Sequence, residues 1–138
     1  MKKLSLLLST LVILVGIAGC SFNKPENPQG STVYELESIE PNDINVSMGS
    51  IDTFSFSLNA ADNTYLVSFK AKGMPVYINE LGTYDIKGST ISFSKTSGSS
   101  IFSEGLGYNS KDGTITVACF KSGSTDTYTA VFRINKDG

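Results

Sequence analysis

Beyond residue 31 the chain alternates apolar and polar positions with a period of two and holds no sustained 3.6-residue stripe, which predicts strands and no helices. The clearest run is Thr53-Phe54-Ser55-Phe56-Ser57-Leu58, with Phe54, Phe56 and Leu58 on one face and hydroxyls on the other. A polar stretch, Asn59-Ala60-Ala61-Asp62-Asn63, then leads to Tyr65, Val67 and Phe69 alternating with Leu66, Ser68 and Lys70, so the two runs predict a hairpin. Met74 to Ile78 follows, interrupted by Gly73 and Pro75, and reads as an edge strand or a bent connection. A last strand over Asp126 to Ile134 sets Tyr128, Ala130, Phe132 and Ile134 against Thr127, Thr129 and Arg133.

Between these lies an internal repeat at an offset of 24 residues, in which residues 82–93 parallel 106–117. Tyr84 falls on Tyr108, Thr90-Ile91 on Thr114-Ile115, and Phe93 on Val117; the turns rest on Gly88 and Gly113. Lys111-Asp112-Gly113 is a direct turn signal, because Asp-Gly tolerates the positive φ that tight hairpins need. Two copies are too few for a solenoid, so the repeat reads as successive hairpins of one sheet. About eight strands joined by short turns form a meander, and a meander with one apolar face can close on itself and lose its edges. The expected fold is all-β, an antiparallel up-and-down barrel of about eight strands over 32–138, with a two-sheet β-sandwich as the alternative. Phe54, Phe56, Tyr84, Ile91, Phe93, Ile115, Val117 and Phe132 are expected to lie deep in it.

The first nineteen residues follow a different pattern. Lys2 and Lys3 precede an apolar run from Leu4 to Ile17, the outline of a secretory signal. That run is shorter than the roughly 20 residues a membrane span needs and is diluted by Ser5, Ser9 and Thr10. Its end, Ile17-Ala18-Gly19-Cys20, resembles the bacterial lipobox, in which the peptidase cuts before a cysteine that already carries a diacylglyceryl group. The resemblance implies a lipoprotein signal peptide over 1–19 and lipid attachment, palmitate among the acyl chains, at Cys20. It also implies a secreted protein held on the extracytoplasmic side of the cell membrane or outer membrane. Two or more acyl chains anchor stably where one does not. Residues 20–31, with Pro25, Pro28 and polar neighbours, read as the lipidated cysteine and a flexible tether, about 18 Å in root-mean-square reach for eleven residues.

Charge and cysteine content narrow the chemistry. Loss of Lys2 and Lys3 with the leader leaves 9 Lys and Arg against 13 Asp and Glu, a net of −4. No basic cluster interrupts this, which argues against nucleic acid and against docking on anionic headgroups by charge. The chain has no histidine and, once Cys20 is lipidated, a single thiol, Cys119, on the face of Ile115 and Val117. Zinc sites and Ser-His-Asp or Cys-His catalysis are thereby removed, and Cys119 reads as a small buried hydrophobe. Glu35 and Glu37, two apart on one strand, read as solvated carboxylates. No catalytic residue, cofactor or metal ligand is expected, and the chain is not read as an enzyme.

Val33-Tyr34-Glu35-Leu36-Glu37-Ser38-Ile39, Asn63-Thr64-Tyr65 and Gly82-Thr83-Tyr84-Asp85-Ile86-Lys87-Gly88-Ser89-Thr90-Ile91-Ser92-Phe93 together resemble the lipocalin-like domains of small bacterial lipoproteins. The resemblance spans most of residues 32–134 and implies a binding role in the cell envelope. Three forms of it remain open: a non-catalytic interaction module, a carrier of a small apolar ligand, and an inhibitor of a cell-wall-directed enzyme. The large aromatics of the inward face favour an interior filled by its own side chains. A protein partner would then meet the rim loops 41–50 and 95–105, the second containing the Lys95–Ser100 stretch.

Overall fold

Strand formation follows the alternation almost everywhere in the computed structural model, which describes residues 20–40, 48–121 and 126–135. In chain order the strands are β1 (Cys20–Ser21), β2 (Thr32–Glu40), β3 (Ile51–Asn59), β4 (Thr64–Ala71), β5 (Tyr77–Lys87), β6 (Thr90–Gly98), β7 (Phe102–Asn109), β8 (Thr114–Phe120) and β9 (Thr127–Ile134). A 3-10 turn at Met48–Ser50 is the only helical piece among the described residues. Strands β2 to β9 run up and down, each antiparallel to its neighbours, in the order β6-β5-β4-β3-β2-β9-β8-β7. Because β9 pairs back onto β2, Leu36 facing Phe132 and Ile39 facing Ala130, the first and last long strands close the wall. The result is a nearly closed barrel, not a sandwich, with one unsealed seam between β6 and β7.

Two hairpins share one turn. Asn59-Ala60-Ala61-Asp62-Asn63-Thr64 and Asn109-Ser110-Lys111-Asp112-Gly113-Thr114 have the same spacing of Asn, Asp and Thr. In both, the fifth residue takes the left-handed conformation, Asn63 at φ 58° and Gly113 at φ 70°. Asn is the non-glycine residue that tolerates it best. The carbonyl freed at that point serves the neighbouring strand: Tyr84 N donates to Asn63 O at 3.0 Å, and Ile134 N to Gly113 O at 2.8 Å. The turns thus fasten hairpins to one another as well as reversing the chain.

Inside, rings fill the space. Phe132 meets Phe54 and Phe56 edge-on, both at 4.9 Å between centroids, and Tyr34 stacks on Phe56 at 5.2 Å. Phe93 joins Tyr65 at 4.8 Å to Phe102 at 4.9 Å. Such edge-on contacts contribute about 0.5–1.5 kcal/mol each beyond the burial itself. Of the expected core, Phe54, Phe56, Ile91, Ile115, Val117 and Phe132 are buried. Tyr84 and Phe93 are only half-buried. They face each other across β5 and β6, and β6 has a paired neighbour on one side only.

Two expectations from the sequence are corrected. Of the stretch read as an edge strand or a bent connection, residues 74–76 do form a bent connection, but Tyr77 and Ile78 open β5, which runs continuously to Lys87 and pairs with β4 on one side and β6 on the other. Gly82 sits in mid-strand, where a Cβ would overlap the Ser94 carbonyl and crowd the Tyr65 ring. The glycine lets β6 lie close at a register shift instead of ending the strand. Nor is 95–105 a loop: Lys95–Gly98 belongs to β6 and Phe102 onward to β7. Ile101 and Phe102, both buried, draw the connection inward.

Candidate functional site

Register places a carboxyl group inside the barrel. On β5, Ile78, Glu80 and Gly82 face Phe69, Val67 and Tyr65 of β4, so Glu80 occupies an inward position among aromatic and aliphatic side chains. It is 1% exposed. A carboxyl group in such a place is costly unless its oxygens are satisfied, and here both are engaged. The Tyr65 hydroxyl donates to Oε2 at 2.5 Å, while Ile101 N and Phe102 N both donate to Oε1, at 2.5 and 3.0 Å.

Those two amides belong to the entry of β7, where no ladder to β6 supplies an acceptor. Glu80 therefore takes the part of the missing strand at one end of the seam. At the other end Tyr108 N donates to Ser89 O at 2.7 Å. Midway, a Cβ on Gly105 would overlap the Ile91 carbonyl oxygen, so the two strands touch there with no room for a side chain.

The remaining interior polar groups are held in their neutral forms. Burial raises the Tyr65 phenol, and its hydrogen bond to the negative Glu80 raises it further. Burial also lifts the Cys119 thiol well above the ordinary thiol range, with the charge of Glu80 acting in the same direction. Tyr128, beside Cys119, is raised chiefly by burial and then by that thiol. Cys119 lies on the inward face with Ile115 and Val117, all fully buried, as the alternation of β8 required. A thiol so suppressed is no nucleophile. Among the described residues no group of three His, Cys, Asp or Glu side chains could hold a metal ion.

Outside, the expected residues separate. Glu37 falls in a bulge of β2 between Leu36 and Ser38 and receives Arg133 Nε at 3.0 Å. Arg133 also donates to the Asp112 carbonyl at 3.0 Å, tying that ion pair to the β7–β8 turn. Glu35 is exposed on the same strand. Lys95 is tied down at the end of β6, where its Nζ donates to Gly98 O at 3.3 Å and Ser100 Oγ at 3.0 Å. Residues 41–47, most of the first expected rim loop, lie outside the described residues.

One concave surface among the described residues is an open groove of about 600 Å³ along the seam at the turn end, lined by Gly88, Ser89, Tyr108, Asn109, Lys111 and Thr114 among others. Its lining residues are glycines and polar types with one aromatic ring, so polar and apolar atoms face the groove in similar measure. The lipid-attachment residue expected from the sequence, Cys20, lies in β1, whose backbone pairs with β5 in the register Cys20 to Ile78 and Ser21 to Tyr77. Among the described residues no helix is long and apolar enough to cross a membrane.

Sequence reasoning missed Glu80, although a signal was present: Ile78, Glu80, Gly82, Tyr84 and Ile86 alternate on one face once the strand is allowed to pass through Gly82. Phe102 was hidden by the Ser and Gly residues around it. In comparisons with protein-family models, curated proteins and solved structures, the chain matches none.

Proposed function

We propose that the protein is a lipid-anchored, non-catalytic protein of the cell envelope whose barrel serves as a binding or interaction module. The lipobox-like Ile17-Ala18-Gly19-Cys20, behind a basic start and a short apolar run, supports the envelope address and the anchor at Cys20. The observation that carries the module reading over the carrier reading is the aromatic filling. Phe54, Phe56, Phe93, Phe102 and Phe132 occupy the centre where a carried ligand would sit. A ligand pocket needs open volume and a few convergent polar groups. The interior groups that could converge, the Glu80 oxygens, are already committed to the chain itself. Recognition then falls to the outer surface.

Titration with an environment-sensitive lipophilic dye separates the two readings. The expected result is no saturable binding to the folded barrel. Saturable micromolar binding at one dye per chain would establish an open interior and put the carrier reading first. Native mass spectrometry of protein purified from its host complements this, and a retained small apolar molecule would likewise favour the carrier.

A further inference from the structure

We propose that the barrel stands upright on the bilayer, resting on the rim formed by 72–76 and 99–101, with the seam groove directed away from the membrane. The proposal rests on the reading of Cys20 as the lipidated residue and goes beyond it, from the existence of an anchor to the face the anchor holds down.

The register of β1 is the starting point. Cys20 faces Ile78 and Ser21 faces Tyr77, on an antiparallel pair. The chain therefore passes from Cys20 to Ser21 in the direction opposite to β5, toward the 72–76 connection and out of that end of the barrel. On β5 the ladder to β6 stops at Glu80 facing Gly98, so β1 occupies the row just beyond the end of β6. A lipid carried on Cys20 is thus attached to the wall itself, at one rim, with no slack between anchor and strand.

The distance to the other end is then fixed by strand geometry. From Ile78 to Lys87 β5 rises about 3.3 Å per residue, roughly 30 Å along the strand. With the usual barrel tilt of about 35–45° this is roughly 23 Å along the axis. Gly88 and Ser89, at the far end of β5, line the groove. A second observation agrees: Phe22, the residue after β1, is 81% exposed. An aromatic ring at that place suits the interfacial layer of a bilayer better than water. Charge does not set the orientation, since Lys72, Lys95 and Lys121 near this rim are offset by Glu40, Glu104 and Asp126. The arrangement should accordingly be insensitive to ionic strength.

The test uses the full-length protein, processed in its host and reconstituted into phosphatidylcholine vesicles containing nitroxide-labelled lipid. Single substitutions Lys72→Cys and Ser100→Cys mark the rim, Ala61→Cys and Lys111→Cys the opposite end, each labelled with a fluorophore. Cys119 is fully buried and does not compete for the label. The expected result is quenching several-fold stronger at both rim positions than at both turn positions, unchanged between low and high salt. Incorporation of labelled fatty acid is measured on the same samples. Equal quenching at the two ends in fatty-acid-labelled protein would overturn the upright orientation alone and mean that β1 peels away as a loose tether. Absence of fatty acid would overturn the orientation together with the anchor on which it rests. Two positions at each end keep the comparison decisive where one variant folds poorly.

Discussion

Replacing Glu80 separates two contributions of its side chain: the acceptors it offers and the charge it carries. Glu80→Ala strips the acceptor from Ile101 N, Phe102 N and the Tyr65 hydroxyl at once. Each buried donor left unsatisfied costs about 1–3 kcal/mol, and a phenol can turn to relieve part of its share. The sum is about 3–6 kcal/mol, a large part of the roughly 5–15 kcal/mol typical of a whole domain. Glu80→Gln behaves differently. Its amide oxygen still accepts from the two backbone amides, and its amide nitrogen can donate to the Tyr65 oxygen, so only the charge-assisted increment is lost, about 1–2 kcal/mol. Urea denaturation followed by far-ultraviolet circular dichroism reads both, the chain having no tryptophan. Hydrogen exchange at Ile101 and Phe102 locates the damage, with protection kept in Gln and lost in Ala. If both variants cost under about 1 kcal/mol and the two amides stay protected, Glu80 does not seal the barrel.

The seam makes a second claim through its glycines. Gly105→Ala should destabilise by about 1–3 kcal/mol or more, because the new methyl meets the Ile91 carbonyl. Gly107→Ala, where the nearest atom is Thr116 Cβ at 3.9 Å, should be tolerated in thermal melts. Equal melting temperatures for the two variants would remove the close approach from the account. A third expectation concerns alkaline pH. Burial raises Tyr34 from its ordinary 10.0 to about 12, and raises Tyr65, Tyr128 and the Cys119 thiol as well. The folded chain keeps these protons where the unfolded chain releases them. Their contribution is therefore complete below the unfolded values and is lost as pH rises beyond them. Stability should hold to about pH 9 and then fall by up to about 1.4 kcal/mol per pH unit for each group. Stability that stays flat to about pH 12 in urea titrations would contradict this.

Much of the fold was legible because alternation is a local signal. Phe54, Phe56 and Leu58 were placed inward from six residues, and Ile115, Val117 and Cys119 from seven. The features that went unread depend on contacts distant in sequence. Gly82 went unexplained because its reason for being glycine is the backbone of Ser94, twelve residues on. Glu80 went unnoticed because its partners, Ile101 and Phe102, lie more than twenty residues away. That the seam falls between β6 and β7, and not between the first and last strands, follows from the β2–β9 ladder and the two register shifts of β7. Neither leaves a trace in local periodicity. The groove is equally non-local, built from two turns that meet only when the barrel rolls up.

The anchor at Cys20 can be tested most directly by intact-mass spectrometry of protein isolated from its host after growth with labelled palmitate. Wild-type chain should begin at Cys20, carry the mass of a diacylglyceryl group and retain the label. Cys20→Ser should remain as an unlabelled precursor with residues 1–19 attached, since a serine hydroxyl cannot form the thioether. A mature wild-type chain free of acyl mass, or a Cys20→Ser variant that labels and matures like wild type, would contradict the lipid-anchored account.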